Sequence, residues 1–251
     1  NFFSSDLIAL GLADGEDVTG GEVRFSGGVP WPVTLRAPGI MGWYAWVPLM
    51  ECYHGVLSMD HGLEGMLSFG NREVDFSGGR GYIEKDWGKS FPAGWVWMQT
   101  NHFEEAGTSL SASIAIIPWL RGAFPGFIIG LLHGGHLHRF ATWTGARTEH
   151  LEITDDTVDW VIADRHRRLE LHGRYEAGGL LFGPGRDRMH ERVNETMKGV
   201  VQVRLTTREG NIIFEGTGRQ AGMEVQGELD RLLALQQSRN GKTQEVPDVE
   251  Q

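Results

Sequence analysis

The chain has 251 residues, 40% of them hydrophobic, which predicts a globular protein of one large or two small domains. Its formal net charge of −10 argues against a nucleic-acid partner, because binding to phosphates depends on clustered Lys and Arg. The single cysteine, Cys52, excludes an internal disulfide, so the expected location is cytoplasmic.

The N-terminal part of the chain is rich in strand and turn signals. Residues 1–4 resemble the middle of a strand, so the first domain is expected to be incomplete. Residues 41–50 form a dense aromatic patch that includes Trp43 and indicates a buried wall. The apolar runs at 39–50 and 124–132 are broken by Pro and Gly and fall short of the roughly 20 residues of a membrane-spanning helix. A peripheral contact with a membrane is left open.

Period-two alternation dominates the rest of the chain. Leu110, Ala112, Ile114 and Ile116, with serines between them, predict a half-buried antiparallel strand. Further strands are predicted at 137–143, 158–163, 169–175, 200–205 and 212–214, with turns at 134–135 and 209–211. This rhythm is typical of an all-β barrel or sandwich. A short amphipathic helix is predicted over 228–236, followed by a disordered polar tail.

The segment 79–92 carries the residues best suited to acid chemistry. In an extended strand, Tyr82, Glu84 and Asp86 project to one face, and Ile83, Lys85 and Trp87 project to the other. Two carboxyls side by side on a partly buried surface do not both ionise readily, so one is expected to stay protonated, as a general acid requires. The alternative is that both carboxylates form surface ion pairs with nearby Lys or Arg.

The next predicted strand, residues 95–103, combines aromatic rings with amides. Trp95, Trp97, Gln99 and Asn101 share one face, which suits a pocket in which the rings shape an apolar chain and stabilise a cation. Gln99 and Asn101 would then orient a polar head group. A Trp-rich core in which the amides bond to neighbouring backbone is the competing interpretation.

Several histidines are candidate ligands. His133 and His136 are expected to be cross-strand neighbours at a two-residue turn, but they lack a third ligand, so no metal site is predicted. His54, which is surrounded by aromatic residues, is assigned to the pocket together with Glu51 and Trp43, although a satisfied core histidine explains His54 equally well. No phosphate-binding glycine motif is present.

Three stretches, Gly81 to Gly88, Phe91-Pro92 and Trp95 to Phe103, resemble the signature of the tocopherol cyclase family. The resemblance extends from about residue 38 to residue 227 and is strongest to bacterial members. It implies two lipocalin-like antiparallel β domains, related to those of carotenoid hydratases. The first domain, which would be incomplete, would occupy residues 1–78. The second domain, with its closing helix, would occupy residues 79–236, and the tail would occupy residues 237–251.

The resemblance also implies an acid-initiated ring closure of a prenylated quinol or other isoprenoid, without a cofactor. Glu84, Lys85 and Asp86 would be catalytic, and Trp87, Trp95 and Trp97 would line the pocket. Plant members tend to carry Asn at the position of Asp86, which favours Glu84 as the proton donor. A non-catalytic carrier of a small hydrophobic ligand and a hydratase of an isoprenoid double bond are the alternatives, and the oligomeric state is left open.

Overall fold

The computed structural model describes residues 1–14, 17–48, 50–120, 122–184 and 189–244. Within these ranges the protein is built from antiparallel strands, two short 3-10 helices and a C-terminal α-helix. The predicted all-β, antiparallel class with a C-terminal helix is confirmed.

The regular elements follow one another with short connections. The 3-10 helices span Gly42–Trp46 and Thr142–Thr144, and the α-helix, α1, spans Leu229–Gln244. The strands are β1 (Phe2–Phe3), β2 (Leu7–Asp14), β3 (Asp17–Ser26), β4 (Cys52–Phe69), β5 (Arg72–Asp75), β6 (Arg80–Gly88), β7 (Gly94–Thr100), β8 (Ser109–Trp119), β9 (Gly122–His133), β10 (His136–Ala141), β11 (Arg147–Ile153), β12 (Thr157–Ala163), β13 (Arg167–Arg174), β14 (Gly179–Pro184), β15 (Met189–Thr207) and β16 (Ile212–Gly227).

These strands form two antiparallel sheets among the described residues. The first has the order β1-β2-β3-β4-β5, with β6 also paired to β4. The second has the order β10-β9-β8-β7-β16-β15-β13-β12-β11, with β14 paired to β15. The chain passes from the first sheet to the second between Gly88 and Gly94. The predicted domain division at residues 78 and 79 lies one strand before this change of sheet and stays a prediction.

The main core lies on the inner face of the second sheet. Leu110, Ile114, Leu169 and Trp160 are each 0% exposed there, and full burial of such a side chain stabilises the fold by about 1.5–3 kcal/mol. Strand β8 is more buried than its alternation predicts. On its serine face Ser109 and Ser111 are buried, with β4 of the first sheet packed against the strand, whereas Ser113 is half-buried.

A smaller apolar cluster joins the two sheets. It contains Val56 and Met59 of β4, Leu132 of β9, and Trp31 and Ile40 from the connection between β3 and β4. Because side chains from both sheets share this cluster, it fixes the position of β4 relative to the second sheet.

Helix α1 closes one end of the second sheet by packing against β7, β9 and β11. Leu232 is completely buried, and Arg239 Nη1 donates a hydrogen bond to the Pro125 carbonyl at 3.0 Å. The helix continues past its predicted end at residue 236 to Gln244. Only residues 245–251 of the predicted disordered tail lie outside the described residues. Across the described ranges, no helix is long and apolar enough to cross a membrane.

Candidate functional site

Strand β6 presents its carboxyls to the space between the two sheets. It pairs antiparallel with β4, which sets Glu84 opposite Val56 and Asp86 opposite His54. Because side chains alternate along a strand, Glu84 and Asp86 share one face. The predicted placement of these two carboxyls on one face is confirmed, and His54 joins them from the neighbouring strand.

Glu84 receives hydrogen bonds from two aromatic side chains. The Tyr82 hydroxyl donates a hydrogen bond to Glu84 Oε2, and Trp97 Nε1 donates to the same oxygen at 3.3 Å. The side chain of Glu84 is 19% exposed. The carboxyl is therefore held in one orientation and largely shielded from solvent.

His54 connects the two carboxyls of β6. Its Nδ1 donates to Asp86 Oδ1 at 2.6 Å, and its Nε2 lies 3.7 Å from Glu84 Oε2. That nitrogen is buried and has no hydrogen-bond partner among the described residues. A small rearrangement or a bound hydroxyl group could therefore engage it.

Burial and charge act against each other in this cluster. Burial raises the pKa of Glu84, and the nearby His54, Tyr82 and Trp97 only partly offset it. For His54, burial alone would lower the pKa, but the hydrogen bond to Asp86 and the charge of Glu84 outweigh it, so the pKa is raised. The cluster can therefore hold a proton at a higher pH than isolated side chains would.

A further carboxyl, Glu224 of β16, reaches the same space. Trp95 Nε1 donates to Glu224 Oε2 at 2.7 Å, and burial raises the pKa of Glu224 to about 7. Sequence reasoning missed this residue. The sequence signal that comes nearest is the alternation of Ala221, Met223 and Val225, which predicts that Glu224 lies on the other face of its strand. Nothing in the local sequence indicates that the face with Glu224 meets β6.

These groups border a cavity of about 140 Å³ between the two sheets. The cavity is walled by aromatic rings and by aliphatic and thioether side chains, while the carboxyls and His54 form its polar side. Its lining residues are Met41, Tyr44, Met50, Cys52, His54, Glu84, Asp86, Phe91, Pro92, Trp95, Trp97, Ser113, Ala115, Ile117, Phe124, Gly126, Phe127, Ile128, Thr142, Trp143 and Glu224.

A second cavity, of about 590 Å³, lies beyond Glu84 under the first sheet. Glu84, Trp97 and Glu224 line both cavities. The rest of its wall is mainly apolar and consists of Ile8, Val23, Phe25, His61, Leu63, Leu67, Phe76, Gly81, Tyr82, Ile83 and Glu195. The carboxyls therefore stand at the boundary between the two spaces.

Five of the predicted site residues come together at the first cavity, namely His54, Glu84, Asp86, Trp95 and Trp97. Lys85 and Trp87 do not. Trp87 stacks on Tyr53 at 5.6 Å, with Lys85 Nζ 4.9 Å from its ring centroid, and the Trp87 side chain is about half exposed. The predicted position of Trp87 in the pocket wall has to be corrected, because strand alternation turns residues 85 and 87 away from Glu84.

The remaining predicted residues lie outside both cavities. The Glu51 carbonyl accepts hydrogen bonds from the backbone N–H groups of Lys89 and Ser90. Trp43 is 45% exposed and stacks on Tyr44, which does line the first cavity. The side-chain nitrogens of Gln99 and Asn101 are buried without a hydrogen-bond partner in the described part of the chain. Their predicted contact with a polar head group stays a prediction.

One group of side chains has the spacing of metal ligands. His54, Glu84 and Asp86 each offer an atom within 4.8 Å of the others. Nδ1 of His54 is already bonded to Asp86, and Glu84 is bonded by Tyr82 and Trp97, so the geometry favours a proton-sharing network over a coordination site. His133 and His136 are cross-strand neighbours, as predicted.

Comparison with known proteins identifies the family. The model of the tocopherol cyclase-like family matches residues 28–227. The chain is 26% identical over 219 residues to the Oryza sativa subsp. japonica protein named "Probable tocopherol cyclase, chloroplastic", covering 78% of this chain and 44% of the relative. It is also 26% identical over 210 residues to the chloroplastic tocopherol cyclase of Zea mays, covering 74% of this chain and 41% of that protein.

Among solved structures, the crystal structure of CghA with Sch210972 is similar at 13% sequence identity and a TM-score of 0.48, covering 86% of this chain and 63% of that one. The chain spans less than half the length of the two plant relatives. Because the family match covers most of the chain, including the cavity-lining strands from β4 to β16, the chain belongs to the tocopherol cyclase-like family.

Proposed function

We propose that this protein catalyses an acid-initiated ring closure of a prenylated quinol or a related isoprenoid, giving a chromanol-type ring. A carboxyl of the cavity protonates the trisubstituted alkene, and the phenol oxygen captures the resulting tertiary cation. The reaction is an isomerisation that neither oxidises nor reduces the substrate, so the proposal includes no cofactor.

The observation that carries the proposal is the pair of sheltered carboxyls, Glu84 and Glu224, at an aromatic-walled cavity. Protonation of an alkene requires a neutral acid in a site from which water is excluded. Burial raises the pKa of both carboxyls, and the indole of Trp97 donates a hydrogen bond to Glu84 while that of Trp95 donates one to Glu224. Aromatic faces attract a developing cation. The names of the plant relatives support the same reaction class.

The sizes of the two cavities support an elongated ligand. A cavity of about 140 Å³ is smaller than the roughly 300–1,000 Å³ typical of small-molecule sites. The adjoining space of about 590 Å³ shares Glu84, Trp97 and Glu224 with it. A ligand that spans both cavities would have its reacting centre at the carboxyls and the rest of its hydrocarbon chain against the apolar wall of the second cavity.

The proposal also includes a peripheral contact with a membrane, from which a hydrophobic ligand would be collected by a cytoplasmic protein. Leu120 is 95% exposed at φ 51, a backbone conformation that is costly for leucine. Next to it, Trp119 packs edge-on against Tyr44 and Phe124, which line the first cavity. An exposed apolar rim beside the cavity suits insertion into a lipid surface.

The test is incubation of the protein with prenylated quinols of increasing tail length and with carotenoid precursors, followed by product analysis. Glu84→Gln is compared with Glu73→Gln, which makes the same chemical change at an exposed residue of β5. We expect a chromanol from the wild type and from Glu73→Gln. In Glu84→Gln we expect kcat to fall about 10²- to 10⁴-fold.

Other outcomes identify the alternatives. Tight binding without turnover would favour a carrier, and addition of a hydroxyl group would favour a hydratase. If no member of the panel is bound or turned over, the proposed substrate class is contradicted.

A further inference from the structure

Two neighbouring indoles of β7 each hold a different carboxyl of the cavity. Trp97 donates to Glu84 at 3.3 Å, and Trp95 donates to Glu224 at 2.7 Å. Glu224 is the cross-strand neighbour of Trp97 in the pairing of β16 with β7. The two carboxyls therefore line both cavities, each with its own indole as hydrogen-bond donor.

Their electrostatic surroundings differ. Glu84 accepts hydrogen bonds from Tyr82 and Trp97 and faces the imidazole of His54 at 3.7 Å. Donors and a cation stabilise a carboxylate. Glu84 is thus the carboxyl better suited to carry a negative charge.

Glu224 lacks this support. Among the described residues, the hydrogen bond that stabilises its charge comes from Trp95, and the charges that act on it are mainly carboxylates. Glu84 and Asp86 face it from β6, Glu195 faces it from β15, and His54 lies across the cavity on β4. Like charges disfavour ionisation of a carboxyl, so Glu224 is the one better suited to stay neutral.

Resting on the proposed function, we propose that Glu224 donates the proton to the alkene and that Glu84 accepts the proton of the phenol. The O–H bond of Glu224 breaks as a C–H bond forms at the less substituted alkene carbon, leaving a tertiary cation. The phenol oxygen then forms the C–O bond, and its proton moves to the Glu84 carboxylate. Proton return from Glu84 to Glu224 restores the starting state, with no co-reactant.

This division of roles gives each carboxyl a protonation state that its surroundings favour. A pKa of about 7 keeps a large share of Glu224 neutral near pH 7. If Glu84 were the donor, it would have to stay protonated although His54 and the hydrogen bonds from Tyr82 and Trp97 all lower its pKa.

The first experiment measures protonation without turnover. Infrared spectra of the ligand-free protein between pH 4 and 9 report the C=O stretch of protonated carboxyls, for the wild type, Glu224→Gln and Glu84→Gln. We expect a wild-type band with a midpoint at about 7 that is missing in Glu224→Gln and retained in Glu84→Gln. The opposite pattern would overturn the assignment of donor and acceptor.

The second experiment uses two variants that shift the same midpoint in opposite directions. Trp95→Phe removes the hydrogen bond that lowers the pKa of Glu224, so the midpoint should rise. Glu195→Gln removes a charge that raises it, so the midpoint should fall. The pH profile of kcat/KM for ring closure should lose activity above the same midpoint and follow both shifts. A purely structural role for Glu224 would produce no such pair of shifts.

The outcomes separate this inference from the proposed function. If the wild type closes rings and Glu224→Gln retains its kcat and pH profile, the donor role of Glu224 is wrong while the cyclase proposal stands. If the wild type closes no ring, the cyclase proposal fails and proton transfer to an alkene fails with it. The infrared midpoint then still decides which carboxyl is the neutral one.

Discussion

His54 Nδ1 lies 2.6 Å from Asp86 Oδ1, across the pairing of β4 with β6. This contact orients the imidazole so that Nε2 points toward Glu84. Asp86 therefore influences the cavity through His54. This gives the Asp86 carboxylate a role other than that of the proton donor.

Asp86→Asn should lower the pKa of His54. The amide oxygen can still accept the Nδ1 hydrogen bond, but the negative charge that favours imidazolium is lost. We expect the midpoint to fall in an NMR titration of the His54 ring. An unchanged midpoint would mean that Asp86 does not control the protonation of His54.

Glu224→Gln should change the pH dependence of stability. A carboxyl whose pKa is raised on folding favours the folded state below its unfolded pKa, and this contribution is lost as the pH rises through the folded pKa. With a folded pKa of about 7, the wild type should lose about 3 kcal/mol relative to Glu224→Gln between about pH 4.5 and 7. Urea unfolding of both proteins at pH 5 and pH 8 measures the difference. The same change in the free energy of unfolding between the two pH values in both proteins would refute the prediction.

Trp87→Ala should leave ligand binding nearly unchanged. Trp87 stacks on Tyr53 and lies outside both cavities, whereas Trp95 lines the first cavity and is 6% exposed. Trp95→Ala should weaken binding of a prenylated quinol by tenfold or more, since it removes about 2 kcal/mol of apolar contact. Fluorescence or calorimetric titration measures both. Equal losses in the two variants would place the ligand elsewhere.

Leu120→Glu should reduce binding to lipid vesicles. Leu120 is 95% exposed at the turn between β8 and β9, so a charged side chain there costs little stability but disfavours insertion into a membrane. Co-sedimentation with phosphatidylcholine vesicles should fall severalfold relative to the wild type. Leu35→Glu, at a residue 91% exposed, provides a comparison elsewhere on the surface. Undiminished sedimentation of Leu120→Glu would argue against the proposed rim.

Local pattern was sufficient for much of the fold. Alternation along 109–116 identified a strand, and the glycine pair at 134–135 identified the turn that makes His133 and His136 neighbours. The helical spacing of Leu229, Leu232 and Leu233 identified α1, although not its length. These features depend on residues close in sequence, where backbone geometry dictates which side chains share a face.

The sequence by itself determined the all-β class, the family, and the common face of Tyr82, Glu84 and Asp86. Only the tertiary structure decided that this face meets His54 and that Glu224 arrives from β16 to line the same cavities as Glu84. The physical reason is that the period of a strand is local, whereas the register between strands distant in sequence is settled by packing of the whole sheet. The charge surrounding each carboxyl, and with it the proposed acid chemistry, follows from that register.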